Sequence, residues 1–369
     1  MEIIGHRLDN PRRVYAFEEL LLLPGLARLS PRDIDTGTAL GGLRLNAPFI
    51  SAPMDTVTGS EMAIALAMSG GLGVVHRNCS VDEAVEMVSA VKKAALPGND
   101  GTAAKDSKNR LAVGAALSPF DIDRAAALAE KADLLFIDVA SFYNIKVIEG
   151  TKKLIDAIDR KIVIGNLGTQ KGVAYAVKEL GEENIAAVKV GMGGGSICTT
   201  TDVTGVGSPV TYAVEQAARA LKELKLIDKI PIIADGGLRC SRDIALSLCL
   251  GASSVMLGNL FARCAESLGE KVVRDGKAYK VYWGMGSPEA RRKRMALDRY
   301  QLHGKGKDVD EGIKTYLPMD GKVAELVDRL VAELKVTMGY IGAKSVEEMK
   351  EVAEIVVKTA KEPKVSSVD

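Results

Sequence analysis

Short apolar runs rich in Val and Ile alternate along this chain with longer segments whose apolar residues return at helical spacing. Eight runs read as strands: 48–54 (PFISAPM), 71–76 (GLGVVH), 110–117 (RLAVGAAL), 133–140 (DLLFIDVA), 161–167 (KIVIGNL), 186–192 (AAVKVGM), 231–237 (PIIADGG) and 253–261 (SSVMLGNLF). Between them, 60–69, 81–95, 121–131 and 210–224 read as helices, each long enough to carry the chain back across a parallel sheet. The pattern predicts an α/β fold, a (β/α)8 TIM barrel, although a doubly wound open sheet would share its periodicity. The strand ends separate the two. Asp138, Asn166, Gly191, Asp235 and Gly258 close successive apolar runs, where the loops of a barrel's active-site face would begin; an open sheet would gather such residues at one switch point. ADGG and MLGN follow the seventh and eighth runs, where barrels commonly hold phosphate on backbone N–H groups.

Two segments break the pattern. The stretch 96–109 (LPGNDGTAAKDSKN) is polar and rich in turn formers, and predicts a short exposed excursion between the second and third units. The stretch 283–314 is charged and poorly periodic, and an insertion of that length after the last barrel strand predicts a mobile lid or flap. Both belong to a single catalytic domain over residues 1–369.

At 369 residues, 47% hydrophobic and 26% charged, the chain can bury a substantial core. A formal net charge of +1, with both signs interspersed, gives no electrostatic reason to expect nucleic acid or an anionic membrane as partner, so small molecules are the default. The opening MEIIGHRLDNPRR has no apolar core of signal-peptide length, and no run approaches the ~18 apolar residues of a membrane span. A cytoplasmic protein is expected. The five cysteines form no CxxC pair and are odd in number, which predicts reduced thiols.

One cysteine stands apart. Cys198 lies in 191-GMGGGSICTTTDVTGVGSP-209, after a run of glycines and before three threonines. A thiol at a strand-end face, beside flexible backbone and hydroxyl groups, has what a covalent nucleophile requires, although such a loop also accommodates a structural cysteine. Cys249 and Cys264 lie in apolar helical patterns and read as small core residues, while Cys79 and Cys240 lie near loops and carry no assignment.

GSICTT followed by GVG, together with SAPMDTVTGSEMAIALAMSGGLGVVHRN, IADGG, VMLGNLFA and YWGMGS, closely resembles the IMP dehydrogenase and GMP reductase family. The resemblance runs from about Tyr15 to Val352 with the motifs in the same order. It implies a barrel, usually tetrameric, whose cysteine attacks C2 of a purine nucleotide while hydride passes between that carbon and a nicotinamide cofactor. By the same resemblance Cys198 is the nucleophile and Thr200 the catalytic threonine; Ser196, Gly237, Gly258 and Asn259 hold the 5'-phosphate, Asn259 replacing a serine common there. Asp235 binds the ribose hydroxyls, Met54, Met285, Gly286 and Glu311 hold the base, and Tyr282 joins the substrate-binding set. Asp138, Asn166 and Gly191 match positions near the nicotinamide riboside, and the carbonyls of Gly193, Gly195 and Cys198 match those that hold a monovalent cation, potassium, in many IMP dehydrogenases.

The resemblance also bears on the direction of reaction. In the dehydrogenase a flap carrying an Arg-Tyr pair activates water, and 298-DRYQ-301 places Arg299 and Tyr300 there. Reductases release ammonia and rely on a threonine and a glutamate. The expected activity is therefore oxidation of IMP to XMP with NAD; GMP reduction with NADPH and a non-catalytic purine-nucleotide-binding barrel are the alternatives. Three departures stand out. Thr201 occupies the place of a usual arginine, DVTGVGSPV lacks a glutamine usual near its end, and 138-DVASFYN-144 lacks a usual glycine, with DVA and Tyr143 resembling reductases. The regulatory CBS pair that dehydrogenases usually insert between the second and third units is replaced by the short 96–109 excursion.

Overall fold

The computed structural model describes residues 13–27, 30–96, 101–292, 298 and 309–358. Eight parallel strands close into a barrel: β4 (Phe49–Ser51), β5 (Leu72–Val75), β6 (Val113–Leu117), β7 (Leu134–Ile137), β8 (Ile162–Leu167), β9 (Ile185–Val190), β10 (Ile232–Asp235) and β11 (Ser254–Leu257). They are preceded by β1 (Leu20–Leu22), β2 (Thr38–Leu40) and β3 (Leu43–Leu45). Closure is made by β11 against β4, in the register Val255↔Phe49, Met256↔Ile50 and Leu257↔Ser51. The predicted barrel forms, and its strands fall within or beside the eight predicted runs.

Alternation along each strand builds two apolar layers, because successive side chains point to opposite faces. Leu134 and Phe136 of β7 join Ile50, Val74, Val163 and Ile233 inside the barrel, whereas Leu135 and Ile137 face the surrounding helices. The interior is plugged at its floor by the β2–β3 hairpin, whose Leu40, Leu43 and Leu45 belong to the inner cluster. Gly41 and Gly42 turn that hairpin at φ +56° and +87°, angles that a two-residue turn needs and glycine adopts without penalty. Helices Ser60–Met68, Val81–Lys93, Ile122–Ala129, Ile145–Ile158, Gln170–Leu180, Val210–Glu223 and Ser241–Cys249 cover the outside, and Val323–Ile341 completes the ring. No helix among the described residues is long and apolar enough to cross a membrane.

Three differences from the sequence reading have physical causes. Several predicted strands run two to four residues too far, because Met54, Ala140, Met192 and Gly237 have left the ladder to form the barrel mouth, and Asn259–Ala262 turns into a short helix. Within the 96–109 excursion, Ala103 and Ala104 are buried, and Asp106 takes ion pairs from Lys92 and Arg110, so this part of the segment is tied down. Third, the chain after the barrel makes an antiparallel sheet of β12 (Lys271–Arg274), β13 (Lys277–Trp283) and β14 (Lys314–Pro318). Both ends of the expected flap therefore belong to strands and face each other, Trp283 opposite Lys314. The Asp275-Gly276 dipeptide between two runs rich in Val and Tyr was the available signal for this hairpin. A last strand, β15 (Ile355–Val357), pairs with β1.

Candidate active site

The carboxyl ends of the strands open into a groove. At its centre the β9 strand gives way to the glycine loop that ends in Cys198, followed by the short helix Thr200–Thr204. Gly191 and Gly193 take φ +121° and +78°. A Cβ on Gly191 would collide with the Asp235 carbonyl, and one on Gly193 with the Thr201 hydroxyl, so both glycines permit close approach. The exposed Thr201 thus lies with its side chain against both Gly193 and Gly207.

The loop is held from the other side by the segment that precedes β14. Cys198 bridges to Gly312, Ile313 N donates to Ile197 O at 3.1 Å, and Glu311 N donates to Gly286 O at 3.1 Å. This ladder places half-buried Cys198 with Sγ 3.3 Å from Thr200 Oγ1, and Thr200 Oγ1 donates to Glu311 Oε2 at 2.7 Å. Glu311, expected at the base, is therefore also the acceptor for Thr200. Met54, Met285 and Tyr282 line the same cavity. Tyr282 is almost wholly buried; burial first, then the nearby Asp235 charge, raises its phenol above the ordinary value and keeps it a donor.

Asp235 closes β10 and accepts from Lys189 Nζ and Asn166 Nδ2, both at 2.8 Å, on the same carboxylate oxygen. Asn166 also donates to the Gly191 carbonyl at 2.8 Å and receives Lys189 Nζ on its Oδ1. Asn166 and Asp235, expected on the cofactor and nucleotide sides respectively, are thus joined through Lys189. The lysine is 1% exposed and occupies an inward position of β9 that apolar residues fill elsewhere in the barrel. The sequence reading missed it, although a charge inside the run AAVKV was a signal.

A second missed residue is Arg77, 2% exposed after β5. It donates to the Asp138 carbonyl from Nε and Nη2, at 3.2 and 2.9 Å, and to Asp298 from Nη1 at 2.8 Å. Ser118 Oγ donates to the other Asp298 oxygen at 2.6 Å. The acidic residue of 298-DRYQ-301 is thereby seated at the barrel mouth beside Asp138, while Arg299 and Tyr300 lie outside the described residues.

The groove continues away from Cys198 past Asp235 and Tyr282 to Ser196, Gly237, Gly258 and Asn259, which come together at its far end. Asn259 Nδ2 donates to Ser196 Oγ at 3.0 Å, and a Cβ on Gly258 would meet the Tyr282 hydroxyl at 2.8 Å. Cys79, Cys249 and Cys264 are buried away from this groove, and burial pushes the thiols of Cys249 and Cys264 up to about 12, so they stay protonated core residues. Cys240 is exposed just before helix Ser241–Cys249.

Comparison with known proteins agrees with the fold. The model of the IMP dehydrogenase / GMP reductase domain matches residues 14–368. An inosine-5'-monophosphate dehydrogenase of Korarchaeum cryptofilum is 35% identical, with 95% of each chain covered. The enzyme of that name from Methanocaldococcus jannaschii is 34% identical over 96% of this chain and 94% of its own. That from Cryptosporidium parvum is 36% identical over 90% and 89%. The alignments with the two archaeal proteins extend over 458 and 475 positions, more than the 369 residues here, so those relatives carry sequence that this chain lacks; the third extends over 365. With a family match over nearly its whole length, a closed eight-stranded barrel and Cys198 at the mouth, the chain belongs to the IMP dehydrogenase / GMP reductase family.

Proposed function

We propose that this chain is an NAD-dependent IMP dehydrogenase, converting IMP to XMP through a covalent adduct on Cys198. The observation that carries the reading is Cys198 at the mouth of a groove that leads past Asp235 to Ser196, Gly237, Gly258 and Asn259. Relatives bearing the name of this activity support it.

In this reading the Asp235 carboxylate accepts the ribose hydroxyls, and Ser196, Gly237, Gly258 and Asn259 receive the 5'-phosphate. Met54, Met285, Gly286 and Tyr282 hold the base so that C2 meets the sulfur, an arrangement whose benefit is orientation. The Cys198 thiolate forms the S–C2 bond, and C2 then loses a hydride with its electron pair. Water adds at C2, the S–C2 bond breaks, and XMP leaves with the thiolate restored. The Thr200 hydroxyl, which gives its own proton to Glu311, keeps lone pairs to accept a proton from that water, with Glu311 as the proton's destination. Arg299 and Tyr300 share this task; Asp298, just before them in sequence, pairs with Arg77 and Ser118.

Asp138, Asn166, Gly191 and Met192 line the cavity beyond Cys198 and mix polar strand ends with an apolar wall, a lining that fits a nicotinamide riboside. When bound, NAD supplies the hydride acceptor. A potassium ion would be held by the carbonyls of Gly193, Gly195 and Cys198; neutral oxygen donors suit such an ion, and the Gly195 carbonyl keeps a lone pair beside the one that receives Cys198 N. The enzyme works as a homotetramer in the cytoplasm.

GMP reduction with NADPH is the second reading, favoured by the formed Thr200–Glu311 pair and by 138-DVA-140. Nicotinamide absorbance distinguishes the two, with purified protein given IMP plus NAD in one cuvette and GMP plus NADPH in another. A rise in the first is expected; a fall confined to the second would overturn the dehydrogenase reading.

A further inference from the structure

We infer that Arg263 determines specificity for the 5'-phosphate by orienting Asn259 and adding a cation to the far end of the groove. The inference rests on the reading of the groove as a purine 5'-monophosphate site.

Arg263 follows the short helix Asn259–Ala262, and its side chain returns one turn to place Nε 3.0 Å from Asn259 Oδ1. An asparagine amide can present either an acceptor or a donor to a ligand, and only the donor suits an anion. The Arg263 N–H occupies Oδ1 and leaves Nδ2 facing Ser196 Oγ at 3.0 Å, on the cavity side that Gly237 and Gly258 share. A serine at this position, the residue common in the family, needs no such device because its hydroxyl rotates to suit.

The guanidinium also contributes charge. Its five N–H groups include one given to Asn259 and one given to Asp320 Oδ2 at 3.0 Å, and Arg263 lines the cavity itself. The side chain is 31% exposed, so its field is partly shielded from water, whereas Asp320 is 52% exposed and better screened. Arg239 lines the same cavity but is 74% exposed, so water screens it more, which makes it the weaker cation. Asp235 lines the same cavity, which therefore holds a carboxylate acceptor for a diol as well as donors for an anion.

Calorimetric titration of wild type, Arg263→Gln and Arg263→Lys with IMP and with inosine, the same nucleoside without its phosphate, tests the assignment. Arg263→Gln is expected to weaken IMP about 10- to 100-fold, the size of a lost charge-assisted hydrogen bond, and to leave inosine affinity unchanged. Arg263→Lys keeps the charge without the fixed Nε donor and is expected to fall between. An equal loss for both ligands, or IMP affinity within threefold of wild type in Arg263→Gln, would overturn the role of Arg263 while leaving the nucleotide reading intact. Wild type that binds neither IMP nor GMP would overturn that reading, and this inference with it.

Discussion

Thr200 and Glu311 stand 111 residues apart in sequence and share a 2.7 Å hydrogen bond beside the Cys198 sulfur. Because the threonine hydroxyl can donate to only one acceptor, this bond commits its proton to Glu311 and leaves its oxygen as the acceptor facing the Cys198 sulfur. Replacing Glu311 with Gln preserves the shape and removes the proton acceptor. Glu311→Gln is expected to slow steady-state turnover by about 10²-fold, within the usual range for a lost acid–base group. Rapid mixing should still show a burst of reduced cofactor, since the loss falls on hydrolysis after hydride transfer.

Lys189 makes a different kind of contribution. It is 1% exposed, and its ammonium is shared between Asp235 and Asn166. Lys189→Met fills the space with an apolar chain but leaves the Asp235 carboxylate without its cation. Removing one partner of a buried pair costs about 3–5 kcal/mol, and less here because Asp235 is 20% exposed, so about 2 kcal/mol is expected from urea unfolding. IMP affinity should fall with it, because the ribose acceptor loses its fixed orientation.

Acid stability should carry a signature of Asp106. Partial burial raises its pKa, but the hydrogen bonds from the Arg110 backbone and from the Lys92 and Arg110 side chains outweigh that and hold the carboxyl at about 2, below the ordinary 3.8. A depressed folded-state pKa stabilises the fold above the unfolded value and loses that stabilisation as pH falls from about 4 toward 2. Urea unfolding at pH 6 and pH 3 should show a decline in wild type that is smaller, by about 1 kcal/mol, in Asp106→Asn. The same decline in both proteins would assign the acid sensitivity to other groups.

Much of this could be read from the chain itself, for reasons visible in particular residues. Strands such as AAVKV and LLFI are short and β-branched or apolar, and the closed barrel follows from eight of them with helices between. Cys198 was legible because glycines and threonines surround it in sequence. Arg77 was not, and Lys189 showed only as a charge inside AAVKV, since each acquires its role from a partner brought close by folding: Asp298 at 221 residues' separation and Asp235 at 46. The β12–β13–β14 sheet escaped notice because its outer strand is short, charged at both ends and largely exposed, as a solvated loop also is.

The central claim is that Cys198 forms a covalent bond to the substrate during turnover. Wild-type protein mixed with IMP and NAD, quenched in acid within the first turnovers and weighed by mass spectrometry, should carry the mass of one purine nucleotide on the peptide containing Cys198. Cys198→Ala should carry none and form no reduced cofactor, while still binding IMP. Turnover without an adduct, or a Cys198→Ala protein that still oxidises IMP, would contradict the account.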